Sequence, residues 1–348
     1  MVTLHSLPHA VVGAPMAGGP STPSLAAAVS NAGGLGFLAA GYKDAAAVAE
    51  EITRTRDLTD APFGVNLFVP DTASTVGSGT SGRIGEALAY RQQLAREYPP
   101  ELLPLPDPED DDGWDAKLDL VLRLQVPVVS FTFGLPAREI MTALQDAGSA
   151  VVVTVTTAGE AAQAVSAGAR ILCLQGPGAG GHRGTFDAAA EPAAQPLTEL
   201  VRGVRTISPG VELIAAGGIC TAAQVRTLRA AGADAVQIGT ALLLSPEAGT
   251  ADVHRAALQD PQFTHTALTR AFSGRSARGL ANRFMAEHPD APAAYPLVNQ
   301  MTKRLRAQAA AAGNPHGTSL WAGTGYRSAA PEPAAAAVAR LGSAAGVP

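Results

Sequence analysis

The sequence predicts an α/β chain folded as a (β/α)₈ barrel, with an inserted segment after the third strand and a helical C-terminal extension. Three observations carry this prediction. The length of 348 residues is too great for one average domain and suits a barrel with additions. An Ala-Gly step recurs at Ala32-Gly33, Ala147-Gly148, Ala167-Gly168 and Ala231-Gly232, each time closing an alanine-rich amphipathic stretch. Glycine just past a helix end takes the left-handed conformation without steric cost. Short apolar runs, mostly β-branched, follow these steps, as in Val151-Val152-Val153, Ile171-Leu172 and Val236-Gln237-Ile238. Continuous apolar strands after helices indicate a parallel sheet covered on both faces.

The strands are expected near 11–15, 35–38, 63–68, 127–132, 150–155, 170–175, 212–216 and 234–238. Helices are expected near 23–32, 44–55, 115–124, 136–147, 158–167, 196–206 and 221–231. Thr157 to Glu160 and Thr221 to Gln224 both read as capping boxes. Eight strands with intervening helices favour a closed barrel, with an open doubly wound sheet as the alternative on pattern alone. The barrel is assigned to 1–68 and 114–249. Residues 69–113 form the insertion, with a Ser/Gly tract, a helix near 83–97 and an acidic run, Asp107 to Asp112, read as a solvated loop. Residues 250–348 form a helical extension on the substrate side, ending in an Ala- and Pro-rich tail expected to fray or lie on the surface.

Composition narrows the function classes. The chain is 47% hydrophobic with a net charge of −5, so a sizeable core is available and no basic nucleic-acid face is expected. Of the two cysteines, Cys173 lies in an apolar run and reads as a small core hydrophobe. No signal peptide and no apolar run of membrane-spanning length is visible. A cytoplasmic monomer or homodimer is the expectation.

The chemistry is expected where barrel active sites are built, at the C-terminal ends of the strands. The seventh strand ends in Ala215-Ala216-Gly217-Gly218 and the eighth in Gln237-Ile238-Gly239-Thr240. Paired glycines there let backbone N–H groups approach an anion, and Thr240 adds a hydroxyl, so a phosphate site is expected. Gly176 to Gly181 matches the dinucleotide pattern G-x-G-x-x-G, but no helix is expected after it, which argues against that reading. The same loop carries Gly180-Gly181-His182-Arg183-Gly184, and His182 is the expected catalytic residue. The small residues around Ala14, Pro15 and Met16 would let a flat ring system lie against the first strand, and the amides of Asn66 and Gln175 would meet its edge. Both amides could equally satisfy backbone groups at the barrel end. Arg275, Arg278, Tyr295 and Lys303 are weaker candidates for an anionic substrate. No nucleophile elbow and no zinc motif is present, so no metal is expected.

These motifs resemble the nitronate monooxygenases, also called 2-nitropropane dioxygenases, and most of all the class I, propionate-3-nitronate type. The resemblance covers nearly the whole chain. It rests on Gly13 to Pro23, Ser30 to Gly36, Gly64 to Phe68, Gln175-Gly176, Gly180 to Phe186, Ala215 to Ile219, Gln237 to Thr240, Phe272 to Arg275, Tyr295-Pro296 and Leu320 to Gly323. It implies non-covalent FMN, with its phosphate at Gly218, Gly239 and Thr240 and with Gly180 nearby. It implies that Asn66, Gln175 and Ala14 to Met16 contact the ring system, and that His182 acts as base toward nitroalkanes and helps hold anionic nitronates. The implied reaction consumes a nitronate and O₂ and gives a carbonyl compound and nitrogen oxides such as nitrite. Pro177-Gly178-Ala179 and the 69–113 insertion depart from the family pattern and bear on substrate identity. The alternatives are an NAD(P)H-dependent quinone or enoyl-thioester reductase on the same barrel, and a flavin-binding protein without turnover.

Overall fold

The computed structural model describes residues 2–70 and 78–343. Eight parallel strands, β1 (Val11–Gly13), β2 (Gly36–Ala39), β3 (Phe63–Phe68), β4 (Val128–Thr132), β5 (Ala150–Val155), β6 (Ile171–Gln175), β8 (Glu212–Ala216) and β9 (Ala235–Ile238), pair in the order β1-β9-β8-β6-β5-β4-β3-β2. Val12 and Leu35 bridge the two end strands in parallel, with Leu35 N–H donating to Val11 C=O at 3.0 Å, so the sheet closes into a (β/α)₈ barrel. The open-sheet alternative is thereby excluded. The short strand β7 (Gly181–His182) lies outside the barrel.

The strands alternate between two cores, as the two-residue period of a strand requires. Val12, Phe37, Val128, Val152, Cys173, Ile214 and Ala235 fill the barrel interior, and Leu4 plugs its N-terminal end. Val11, Leu38, Val65, Val129, Val153, Leu172 and Val236 face outward and pack under the helices. Those helices are α1 (Pro23–Asn31), α2 (Ala45–Leu58), α4 (Trp114–Arg123), α5 (Arg138–Asp146), α6 (Ala158–Ser166), α7 (Leu197–Ile207) and α8 (Ala222–Ala230). Gly33, Gly148, Gly168 and Gly232 all have positive φ past helix ends, which is why an Ala-Gly step is legible as a stop. Thr221 and Gln224 form the full capping box. Thr157 caps α6, but the Glu160 carboxylate turns instead to the Thr156 N–H at 2.6 Å and the Phe186 N–H at 2.8 Å. Glu160 thus ties the glycine loop's far end to the barrel.

The additions differ from expectation in three places. The insertion carries α3 (Ser78–Leu94), and residues 71–77 of its Ser/Gly tract lie outside the described residues. Its acidic run is anchored to the fold: Gln300 Nε2 donates to Asp110 Oδ2 at 3.0 Å, and Asp112 accepts the Tyr42 N–H at 2.8 Å and pairs with buried Lys117 at 2.8 Å. The extension is not helical throughout. Besides α9 (Asp252–Gln259), α10 (Arg283–Glu287) and α11 (Leu297–Ala311), it holds β10 (Thr266–Thr269) and β11 (Ala277–Leu280), which form an antiparallel sheet with β7. β10 pairs with β11, and β11 gains its other partner, β7, from a loop some ninety residues upstream, so no local period announces the sheet. Finally, α12 (Ala334–Gly342) packs on α1 and α8 through buried Ala334, Ala337, Val338 and Leu341. Its small alanines allow close helix contact, and the tail supplies the eighth helix of the ring.

Candidate active site

At the C-terminal end of the barrel the inward side chains change from apolar to polar. Asn66, Ser130, Thr132, Thr154, Gln175 and Gln237 face a cavity of about 590 Å³. Ala14, Pro15, Met16, Gly180, His182, Gly217, Gly218, Gly239, Thr240 and Lys303 line the same cavity, so the fold gathers these sequence-selected residues at one place. Arg275 and Tyr295 do not line it. They border an adjoining cavity of about 280 Å³ that also meets the acidic run. Arg278 is turned away, its Nε donating to Pro177 C=O at 3.0 Å.

One wall is lined by backbone N–H donors. Gly217 and Gly218 follow β8, Gly239 and Thr240 follow β9, and both glycines after β8 have positive φ. The N–H groups of Gly217, Gly218, Gly239 and Thr240 donate to no acceptor among the described residues. Converging, unsatisfied backbone donors at the end of parallel strands fit a phosphate. Thr240 Oγ1 accepts the Gly323 N–H at 2.9 Å and retains its own proton for donation.

The amides divide their work. Asn66 Nδ2 donates to Ser130 Oγ at 2.8 Å and Thr132 Oγ1 at 3.0 Å, which leaves its carbonyl oxygen for the cavity. Gln175 uses both ends on the glycine loop, donating to His182 C=O at 3.0 Å and accepting the Gly184 N–H at 2.9 Å. Buried Arg183 holds the loop's start through the carbonyls of Gln175 and Gly176.

His182 is fixed from both sides. Its backbone pairs with Ala277 of β11, and the next N–H, that of Arg183, donates to Ser276 C=O at 2.8 Å. The ring nitrogen Nε2 lies 2.8 Å from Ser273 Oγ. Ser273 donates its hydroxyl proton to Arg275 C=O at 3.2 Å. That bond leaves the Oγ lone pairs to accept from Nε2–H, so Nδ1 carries the ring's free lone pair. Phe133, Tyr295 and Trp321 surround the imidazole at centroid distances of 5.8, 5.7 and 5.4 Å. The ring faces the cavity yet sits deep in the fold. Burial, with Arg275 and Arg306 adding to it, lowers its pKa to about 3, so the imidazole is neutral at neutral pH.

Two features escape the sequence pattern. Ser273 adjoins His182 across 91 residues of chain. On α11, Asn299, Lys303, Arg306 and Ala310 share the face toward the cavity, a helical spacing that reads from sequence as a solvated stripe. Arg306 donates to Asn299 Oδ1 at 2.8 Å and to Thr302 Oγ1 at 3.1 Å, which holds its guanidinium in place at the cavity wall. Arg275 instead is structural in its contacts, donating to Thr185 C=O at 2.8 Å with its guanidinium carbon 4.2 Å from the Phe133 ring centroid.

A family model described as nitronate monooxygenase matches residues 1–341. The chain belongs to the nitronate monooxygenase family. A probable nitronate monooxygenase of Staphylococcus saprophyticus is 36% identical over 333 residues, covering 93% of this chain and 91% of that protein. One from Staphylococcus aureus is 36% identical over 343 residues, covering 97% and 94%. The crystal structure of a nitroalkane oxidase from Streptomyces ansochromogenes superposes with a TM-score of 0.90 at 46% identity, covering 98% of this chain and 97% of that one. FabK from Thermotoga maritima shares the fold, with a TM-score of 0.72 at 24% identity over 97% of this chain and 93% of its own. The family makes this chain an oxidoreductase. No helix among the described residues is long and apolar enough to cross a membrane.

The buried histidines set an acid limit on this oxidoreductase's stability. The pKa of His254, which lies beside the cavity, is lowered to about 4, chiefly by burial and further by Arg255, against a hydrogen bond to the Trp321 backbone that raises it. A histidine held neutral in the fold takes up its proton more readily when unfolded. The contribution is therefore present above the unfolded value near 6.5 and is lost as pH falls from there through about 4 for His254 and about 3 for His182. The melting temperature should decline below about pH 6.5, and the decline should be shallower in His254→Gln. Equal slopes for the two proteins would count against this origin.

Proposed function

We propose that this chain is an FMN-dependent class I nitronate monooxygenase that oxidises small anionic nitronates, propionate-3-nitronate or similar, with O₂ to a carbonyl compound and nitrite or nitrate. The observation that carries the reading is the set of unsatisfied N–H groups at Gly217, Gly218, Gly239 and Thr240 in the same cavity as His182. Such a cradle suits the FMN phosphate, and the small residues Ala14 to Met16 with the Asn66 carbonyl oxygen suit its ring system. Bound there, FMN would supply the electron acceptor for the nitronate and the electron donor for oxygen.

The chain's own groups do the rest. Lys303 and Arg306 on the cavity wall give it a positive field that draws in an anionic nitronate. With a neutral nitroalkane, His182 Nδ1 accepts the α-proton. The nitronate charge that appears beside it offsets Arg275 and Arg306 and stabilises the imidazolium, so the base strengthens as the proton moves. Ser273 keeps Nε2 protonated and the ring oriented. Phe133, Tyr295 and Trp321 exclude water from the reacting carbon.

The test uses the purified flavoprotein without oxygen. Heat-released cofactor should be FMN. Propionate-3-nitronate should change the visible spectrum within turnover time, whereas NADH and NADPH should not. Rapid bleaching by either nicotinamide would replace this reading with the reductase. A spectrum that responds to none of them would indicate a flavin-binding protein without turnover.

A further inference from the structure

We propose that Glu97, Glu287 and His288 form a binding site for a zinc-class divalent cation that clips the inserted segment to α10. Their potential ligand atoms, one per residue, all lie within 4.8 Å of one another, and no other such group of three occurs among the described residues. The decisive member is His288. Its side chain is 1% exposed, and neither ring nitrogen has a hydrogen-bond partner. Leaving two buried ring nitrogens unsatisfied is costly unless something outside the protein meets them.

The ring's setting says where that something sits. His288 meets Phe284 at 4.4 Å, tilted by 56°, and Tyr90 at 5.9 Å, edge-on at 79°, centroid to centroid. Its Nε2 lies 3.8 Å from Glu97 Oε2. That separation is too long for a hydrogen bond. Two ligands sharing a tetrahedral zinc ion, with bonds of about 2.0–2.1 Å, stand about 3.3 Å apart, so the His288–Glu97 pair needs to close by about half an ångström, and the exposed Glu287 side chain is free to swing in from within 4.8 Å. A neutral imidazole with two carboxylates suits Zn²⁺ rather than Mg²⁺ or Ca²⁺, which favour all-oxygen ligands. Glu97 and Glu287 are exposed, which leaves room for water as the remaining ligand.

The site has a mechanical consequence. Glu97 follows α3 in the insertion, while Glu287 and His288 end α10 in the extension. Between them lies an apolar cluster with Tyr90, Leu94, Phe272, Phe284 and Met301. That cluster backs Ser273 and the face of α11 that carries Lys303 and Arg306. A bound cation would link two segments of distant sequence across the roof of the site.

Calorimetric titration of the cofactor-loaded, tag-free protein with Zn²⁺ tests this. One equivalent should bind, and the melting temperature should rise with it. Glu97→Gln and Glu287→Gln alter exposed side chains, so both variants should fold with unchanged melting temperature in the presence of chelator. Each should weaken zinc binding tenfold or more and lose the zinc-dependent rise. Zinc binding of equal strength in wild type and both variants, or no binding by wild type, overturns the proposal. Magnesium in place of zinc should produce neither effect, and an equal response to magnesium would also overturn it.

Discussion

His182→Asn should lower kcat/KM for a neutral nitroalkane by about a hundredfold or more, while leaving turnover of a preformed nitronate much closer to wild type. The reason for the split is proton transfer. A neutral nitroalkane must lose its α-proton to Nδ1, whereas a nitronate arrives already deprotonated. Asparagine matches the reach of Nδ1 but not of Nε2, so the 2.8 Å contact with Ser273 is lost, while the backbone pairing of position 182 with Ala277 should keep the loop's path. Steady-state kinetics with a nitroalkane and its nitronate, both at neutral pH, make the comparison. Equal losses on both substrates would assign His182 a role in binding or packing, and no loss on either would remove it from the chemistry.

Gly180→Ala should cost about 1–3 kcal/mol of stability and strip the protein of cofactor during purification. A Cβ at Gly180 would stand 2.5 Å from Gly323 N and 2.6 Å from the Ala322 carbonyl carbon. Both are backbone atoms, so no rotamer change relieves the clash and one segment must move. The 320–323 segment is held by the Gly323 N–H on Thr240 Oγ1 at 2.9 Å, and Thr240 belongs to the anion cradle. Trp321 of that segment lies against His182. The displacement therefore reaches the cradle and the histidine together. Thermal melting and the flavin-to-protein absorbance ratio after gel filtration report the two effects. A variant with wild-type melting temperature and full cofactor content would show that the segments part without consequence.

The barrel was readable because its signals are local. Each strand is a short apolar run, α1, α5, α6 and α8 each stop at an alanine followed by glycine, and the eight strands lie within one or two residues of expectation. The glycines after β8 and β9 were readable for the same reason, since the proposed phosphate cradle uses consecutive backbone groups. Lys303 drew notice, yet its neighbour Arg306 did not, because a polar helical stripe looks the same whether it faces water or a cavity. Ser273 and Trp321 stand in the motifs Phe272 to Arg275 and Leu320 to Gly323, but nothing in the sequence ties either to His182. Their relation to His182 exists only through β11, which pairs with the glycine loop across a stretch of chain with no period of its own.

The sequence by itself determined the barrel, the end of it that carries chemistry, and the residues Gly217, Gly218, Gly239, Thr240 and His182 that mark that end. These follow from periodicity and backbone freedom, which act over a few residues. Tertiary structure alone decided the closure of the helical ring by α12, the ring nitrogen of His182 left free by Ser273, and the meeting of Glu97 with Glu287 and His288. Each of these depends on side chains brought together from distant positions, and no spacing rule along the chain encodes such a contact.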